Sequence, residues 1–500
     1  MQRCLFMEPL KKDRFCNAHV LLFMSMLIGI MITGCATLPK DTRVAAPLDT
    51  PQIKETLDAQ FDNSSEKIVK KWPSLRWWEE FHNPEMNRII TIALGKNPDL
   101  KASLSRIHQA WAIAAGARSR YLPSFSSTQF LFPVPLGVLQ LPGSSFFGPF
   151  GDNSFFFWSV IPALSNYHLD LWGEDKARVR AAIGMARASE AEYALARLFL
   201  STTLASRYIR LASAEEELGL ARSGQQIINE LLHLVQMRKK SGIENLLPVH
   251  TIEQRLETIN QLVNSLERET KILRDEIARL AGQSPDWGRT ILVKESTFPK
   301  RFPLPKSLPL DLLGRRPDVA VSRWRAEALA HQVKVTKTAF YPNLDLVALV
   351  GFETLNFATL FLNPALPLLY IAGPAWNLPI FTAGRLSSEL VVAQEEYNIA
   401  VESYNSTLLS AFQQVADALA VWKETDKNLI SQEQSTSSAK SNAELSARLF
   451  SAGINTKTDL LDLQYTLIQS QITLSNRTAE HLEAAVGLFL ALGGGYESIE

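Results

Sequence analysis

Few side chains in this sequence are placed to do chemistry, and the most telling is a cysteine. Cys35 closes an apolar run from Ala18 to Ile32, broken only by His19 and Ser25 and preceded by Lys11, Lys12 and Arg14. A basic stretch followed by about 15 apolar residues is the plan of a secretory signal. Its end, Ile32-Thr33-Gly34-Cys35, fits a bacterial lipobox. Small residues let the backbone enter the peptidase, cleavage precedes Cys35, and only a thiol is nucleophilic enough to accept diacylglycerol. Ala36, not Asp, comes next, so sorting to the outer membrane is expected. Residues 1–34 are thus read as a lipoprotein signal peptide and 35–75 as a lipid-anchored tether.

Nothing comparable exists for catalysis. The sequence has no HExxH, no cysteine pair, no GxxxxGK[ST] and no GxSxG, and its 8 histidines are scattered. Glu215-Glu216-Glu217 would splay over about 200° of a helix, the pattern of a solvated face. The Arg315-Arg316 pair suits helix-start packing better than phosphate. An enzyme is not expected, nor a metal or any cofactor other than lipid on Cys35. Lys plus Arg and Asp plus Glu are 51 each, which lacks the basic footprint of a nucleic-acid binder. All three cysteines lie within the first 35 residues, leaving the body without a disulfide framework.

The elements that carry these residues are long and occur twice. From Leu386 apolar residues recur at Leu390, Ala393, Tyr397, Val401, Tyr404, Leu408, Phe412, Val415, Leu419 and Trp422, the period of one helix face. No proline or glycine interrupts until Gly453; a helix from 385 to there would span roughly 100 Å. The same plan lies 211 residues upstream: Gly173 matches Gly384, Gly242 matches Gly453 and Gly282 matches Gly493. Tyr193, Leu204, Tyr208 and Leu211 match Tyr404, Val415, Leu419 and Trp422, with Arg197 against Leu408 as a lapse. After the first tip, Val249, Ile252, Leu256, Ile259, Val263, Leu266, Thr270, Leu273, Ile277 and Leu280 step as a coiled-coil seam. Reversal at Gly242 and Gly453 gives two helical hairpins, 174–282 and 385–492.

Ahead of each long helix, Pro98-Asp99 and Pro317-Asp318 open a shorter one, which Pro123 and Pro342 end. Then come strand pairs: Ser124 to Phe132 with Phe155 to Ala163, and Asn343 to Phe352 with Tyr370 to Leu378. Each strand is about the length that crosses a bilayer when tilted. The organisation expected is a first repeat 76–282 with β-hairpin 124–163, a proline-rich crossover 283–316, a second repeat 317–495 with β-hairpin 343–378, and a tail 496–500. Four strands cannot close a barrel wide enough to conduct, and lipid does not tolerate an open edge. Other subunits must complete them.

With Trp77-Trp78 and Phe81, Asn97-Pro98-Asp99-Leu100, Leu169-Asp170-Leu171-Trp172-Gly173, Arg315-Arg316-Pro317-Asp318, Pro379-Ile380-Phe381 with Gly384-Arg385, and Ala491-Leu492-Gly493-Gly494-Gly495 in this order, the chain resembles the TolC-like outer-membrane efflux proteins. The likeness is to the lipoprotein branch that includes NodT and OprM. It implies a mainly α fold with a membrane β-barrel: a homotrimer whose strands form one twelve-stranded barrel, continued by a periplasmic α-helical barrel. The implied function is a passive exit duct docked to a periplasmic membrane-fusion adaptor and an inner-membrane pump of RND type, with tips at Gly242 and Gly453 meeting the adaptor. By the same likeness Asp459 and Asp462 would form a periplasmic selectivity ring. Phe450 stands where some relatives have tyrosine, and Pro248 where the first hairpin would carry a matching acid, so gate packing falls to Leu246, Leu247, Phe450 and Leu460. The competing reading is a non-porous lipoprotein that scaffolds a periplasmic assembly.

Overall fold

The computed structural model describes residues 44–48, 73–134, 155–293, 298–299, 302, 316–354 and 368–496. The signal peptide, Cys35, Arg315 and most of the tether and crossover lie outside them. Among the described residues a 3-10 turn, Trp77–Phe81, precedes α1 (Pro84–Lys96) and α2 (Pro98–Arg118). Strands β1 (Ser124–Val134) and β2 (Phe155–His168) follow, then α3 (Glu174–Lys240), α4 (Leu246–Leu280) and the short α5 (Pro285–Gly288). The second half supplies α6 (Pro317–Thr338), β3 (Asn343–Thr354), β4 (Leu368–Asn377), α7 (Arg385–Ser451) and α8 (Lys457–Ala491).

The chain divides into two compact units. One comprises Met1–Ala46, Ala110–Ala186 and Arg325–Ala400; the other comprises Pro47–Gln109, Arg187–Trp324 and Val401–Glu500. The first holds the four described strands, in one antiparallel sheet of order β1-β2-β3-β4. The two hairpins therefore join through β2 and β3, and β1 and β4 are its edges. β2 continues to His168, past the end expected at Ala163, because β3 still offers it partners at Leu346 and Asp345. Register shifts at Ser126/Thr128 and Val160/Ala163 mark bulges, which bend and twist strands. Phe340, Leu386 and Leu390 form a small buried cluster in this unit.

In the second unit the repeated helix face is buried in both copies: Leu204, Tyr208 and Leu211 in α3, and Val415 and Leu419 in α7. Each such apolar side chain contributes about 1.5–3 kcal/mol by leaving water. The lapse at Arg197 has a local cause, since its guanidinium lies over the Trp78 ring at 5.9 Å. Trp77, Trp78 and Phe81 are core residues, and Trp77 stacks on Phe489 with centroids 4.9 Å apart. The α4 seam is buried except for Leu256 and Leu280, which are partly so; its Thr270 hydroxyl donates to Glu267 O at 3.1 Å.

Four helix ends are built alike. Gly242, Gly282, Gly453 and Gly493 have φ of +72°, +66°, +72° and +83°, the left-handed region where glycine carries no Cβ penalty. In each, the glycine N–H and that of the next residue donate back to the last turn, for example Gly242 to Lys239 O at 2.9 Å and Ile243 to Arg238 O at 3.0 Å. That pairing satisfies carbonyls the helix would otherwise orphan.

Candidate functional site

The sheet has two chemically different faces. Residues paired across antiparallel strands share a face, and Val350, Ala348, Leu346 and Leu344 pair with Tyr370, Ala372, Pro374 and Trp376. Tyr167 and Ser165 of β2 and Phe125 of β1 extend the same face. The opposite face carries Ser124, Asn166, His168, Asn343, Asp345 and Asn377 where the strands meet the helices, and Leu164, Val347, Leu349 and Ile371 farther along. One side of this sheet thus suits lipid along its described length, while the other is polar at its helix end and keeps the mixed polarity of the second hairpin's sequence beyond it.

Where strands meet helices, the polar face ends in a chain of polar and charged side chains. Arg120 Nε donates to Asp175 Oδ1 at 2.6 Å, His168 Nε2 lies 3.9 Å from Asp175 Oδ2, and His168 Nδ1 lies 3.1 Å from Asp345 Oδ1. Trp172 stacks on Tyr341 with centroids 4.9 Å apart and donates its indole N–H to Pro342 O at 2.8 Å. These contacts fix the exit of β2 against the entry of β3.

At the hairpin tips, Gly242 and Gly453 stand in open space, each followed by an exposed isoleucine, Ile243 and Ile454. Asn245 caps α4 by accepting the Leu247 N–H at 2.9 Å. Thr456 caps α8 in a capping box with Asp459: Asp459 N–H donates to the Thr456 hydroxyl at 3.2 Å, and Thr456 N–H donates to the carboxylate at 3.1 Å. The Thr456 hydroxyl, the larger influence, and this N–H hold the Asp459 carboxyl below the ordinary aspartate range. Asp462 accepts from Arg255 of α4 at 2.8 Å, joining the two hairpins. Lys457 pairs with Glu230 of α3. Within one chain, Leu246, Leu247, Phe450 and Leu460 do not form a buried cluster; Leu246 is 50% and Leu247 72% exposed, and Leu460 is half-buried.

The acid triplet is not a solvated face. Glu217 is 5% exposed and accepts from Ser213 at 2.7 Å and Arg210 at 3.1 Å. Glu216 accepts from Ser475, and Glu215 from Arg274. Arg210 also binds Glu269 and Asn476. Burial raises the Glu217 carboxyl above its usual range, against the pull of Ser213 and Arg210. Glu217 finds its partners on its own helix, whereas those of Glu215 and Glu216 come from helices 59 and 259 positions away, which local splay could not anticipate. Arg316 is likewise structural: it forks onto Asp318 at 3.0 and 2.7 Å and caps the Ala491 carbonyl. Among the described residues no group of three or more His, Cys, Asp or Glu side chains is set to hold a metal, and no helix is long and apolar enough to cross a membrane.

The model of a family described as outer membrane efflux protein matches residues 89–283 and 308–494. The chain is 31% identical over 370 residues to the fusaric acid resistance protein FusA of Burkholderia cepacia, covering 74% of this chain and 68% of that protein. It is 26% identical over 478 residues to the multidrug resistance outer membrane protein MdtQ of Escherichia coli O157:H7, covering 94% and 96%. Among solved structures it is similar to the outer membrane protein VceC of Vibrio cholerae, with a TM-score of 0.73 at 27% identity over 85% of this chain and all of that one. The CmeC outer membrane channel of Campylobacter jejuni gives a TM-score of 0.78 at 22% identity over 94% and 96%.

Proposed function

The chain belongs to the outer membrane efflux protein family, and on that premise we propose that three copies assemble into the exit duct of a tripartite efflux system. It is an outer membrane efflux channel; the trimer, its anchor and its partners are the further step. The observation that carries this reading is the sheet. It has four strands, one apolar face, an opposite face that is polar at its helix end, and two edges with no partner strand among the described residues. In lipid each unpaired backbone group costs several kcal/mol, so β1 and β4 must pair with neighbouring copies, and three sheets close a twelve-stranded barrel with water inside.

Acylated Cys35 anchors each copy in the outer membrane. The tips at Gly242 and Gly453 present Ile243 and Ile454 to a periplasmic membrane-fusion adaptor, which links the duct to an inner-membrane pump of RND type. Asp459 and Asp462 ring the periplasmic mouth, with Leu246, Leu247, Phe450 and Leu460 packing between copies to close it. Electron microscopy of the detergent-extracted protein tests the assembly: a three-fold tube with a barrel at one end is expected, and a monomer or a solid rod would overturn it.

A further inference from the structure

Helix α7 carries a short unit twice, seven residues apart: Glu395-Glu396-Tyr397-Asn398 and Glu402-Ser403-Tyr404-Asn405. Each asparagine is oriented by the glutamate three residues before it: Asn398 Nδ2 donates to Glu395 and Asn405 Nδ2 to Glu402, both at 3.2 Å. That leaves the carboxamide oxygens aimed at a segment from the other end of the sequence. Ala45 N–H donates to Asn398 Oδ1 at 2.9 Å, and Leu48 N–H to Asn405 Oδ1 at 2.8 Å. Each bond lies within one compact unit.

The spacings fit each other. Seven helical residues rise about 10.5 Å, and three residues of an extended chain span about 10 Å. In the polyproline II conformation that Pro47 favours, residues 45 and 48 also point the same way, one turn apart. We propose that the doubled Glu-x-Tyr-Asn unit is a clamp for extended backbone. It holds the chain's own residues 44–48 in one register on α7 and thereby sets the length of tether free to reach the membrane. The anchoring part rests on acylation of Cys35 as proposed above.

The direction and length agree. The segment runs parallel to α7, so its upstream side leads back toward Arg385, where α7 follows β4. Asn398 lies about 20 Å along the helix from Arg385, while the ten residues from Cys35 to Ala45 reach at most about 35 Å. Ten residues are therefore long enough to reach past the start of α7 with roughly 15 Å to spare. Asparagine is the residue type this needs, because its oxygen accepts the backbone N–H while its NH2 engages glutamate; aspartate would set two like charges side by side.

Hydrogen exchange by mass spectrometry on the full lipid-modified chain in detergent tests the clamp. The amides of residues 45 and 48 should be protected. Asn398→Ala with Asn405→Ala should speed their exchange about fivefold to tenfold, the net effect of losing one hydrogen bond at each. Peptides of 385–451 should stay protected in that variant, which separates loss of the clamp from loss of the helix. Unprotected amides in the unaltered chain, or protection unchanged in the double variant, would overturn the clamp. The mass of the N-terminal peptide reads acylation independently; protection intact on a peptide without acyl chains would overturn the anchor-length part and leave the clamp standing.

Discussion

Arg255→Gln and Asp462→Asn should act alike on the opening of the duct and oppositely on its ion preference. The Arg255–Asp462 contact is 2.8 Å long, with side chains 44% and 45% exposed. An exposed pair of this kind contributes about 0.2–1 kcal/mol. In the proposed trimer, with the contact made in the closed state and broken on opening, three copies would together contribute about 0.6–3 kcal/mol, a factor of roughly 3 to 150 in the closed-to-open ratio. Both variants lose that term, so open probability should rise in both. Charge is another matter. In the proposed ring Arg255→Gln would uncover three carboxylates at the mouth and strengthen cation preference, whereas Asp462→Asn would leave three guanidinium groups and weaken it. The assay is reversal potential and single-channel recording in planar bilayers under a salt gradient. Screening acts over about 10 Å at 0.1 M and 3 Å at 1 M, so the shifts should shrink at high salt. Reversal potentials that move the same way in both variants, or in neither at low salt, would refute a carboxylate ring facing the ion path.

Three further outcomes are expected. Alanine at Gly242 or Gly282 forces a positive φ on a residue with Cβ, at about 1–2 kcal/mol. At Gly282 alone the Cβ would also sit 2.7 Å from Lys96 O, adding about 1–3 kcal/mol, so equal denaturation midpoints for the two variants would contradict this packing. Thr456→Val removes the partner that depresses the Asp459 carboxyl. The capping contribution is complete above the unfolded-state value near pH 4 and is lost as pH falls through the lower folded value. Protection of amides 457–461, measured relative to their intrinsic exchange rates at each pH, should therefore fall on acidification in the unaltered chain and be low throughout in the variant. Glu217 has the opposite sign: its raised folded value means its contribution is present below the unfolded value and lost as pH rises through the folded one. Glu217→Gln should keep or raise the melting temperature at pH 7 relative to the unaltered chain, with the difference shrinking toward pH 5; a lower melting temperature at pH 7 would show that the Arg210 pair outweighs burial.

Periodicity made the helices legible. A step of three or four held from Leu386 to Trp422 specifies one face, and the 211-residue offset specifies it again; both copies bury that face. The tip glycines were legible for the same reason, since little else ends a helix of 67 residues. Strand ends were harder, because β2 stops where its partner stops, and a partner 177 residues away leaves no local mark. The ionic contacts were not legible at all. Arg255 and Asp462, or Arg210 with Glu269 and Asn476, meet through packing of separate helices, and a charged side chain reads the same whether its partner is water or another helix. Asp459 was found through a family likeness, yet its capping role was already written in the local order Thr456-Lys457-Thr458-Asp459.

The paired glycine terminators also say where such a gene can lengthen. From Gly173 to Gly242 and from Gly384 to Gly453 is 69 residues each, and from each tip to Gly282 or Gly493 is 40. One residue inserted into α3 alone would turn everything beyond it by about 100° and shift it by about 1.5 Å, carrying one tip out of level with its twin and rotating a buried face toward solvent. A length change there has to occur in both halves at once, or in whole helical repeats. Between Pro123 and Gly173, by contrast, the first half carries eight residues more than the second has between Pro342 and Gly384. Insertions and deletions in this lineage should therefore collect between the strands of each hairpin, while the helices on the other side keep the spacing of their duplicated ancestor.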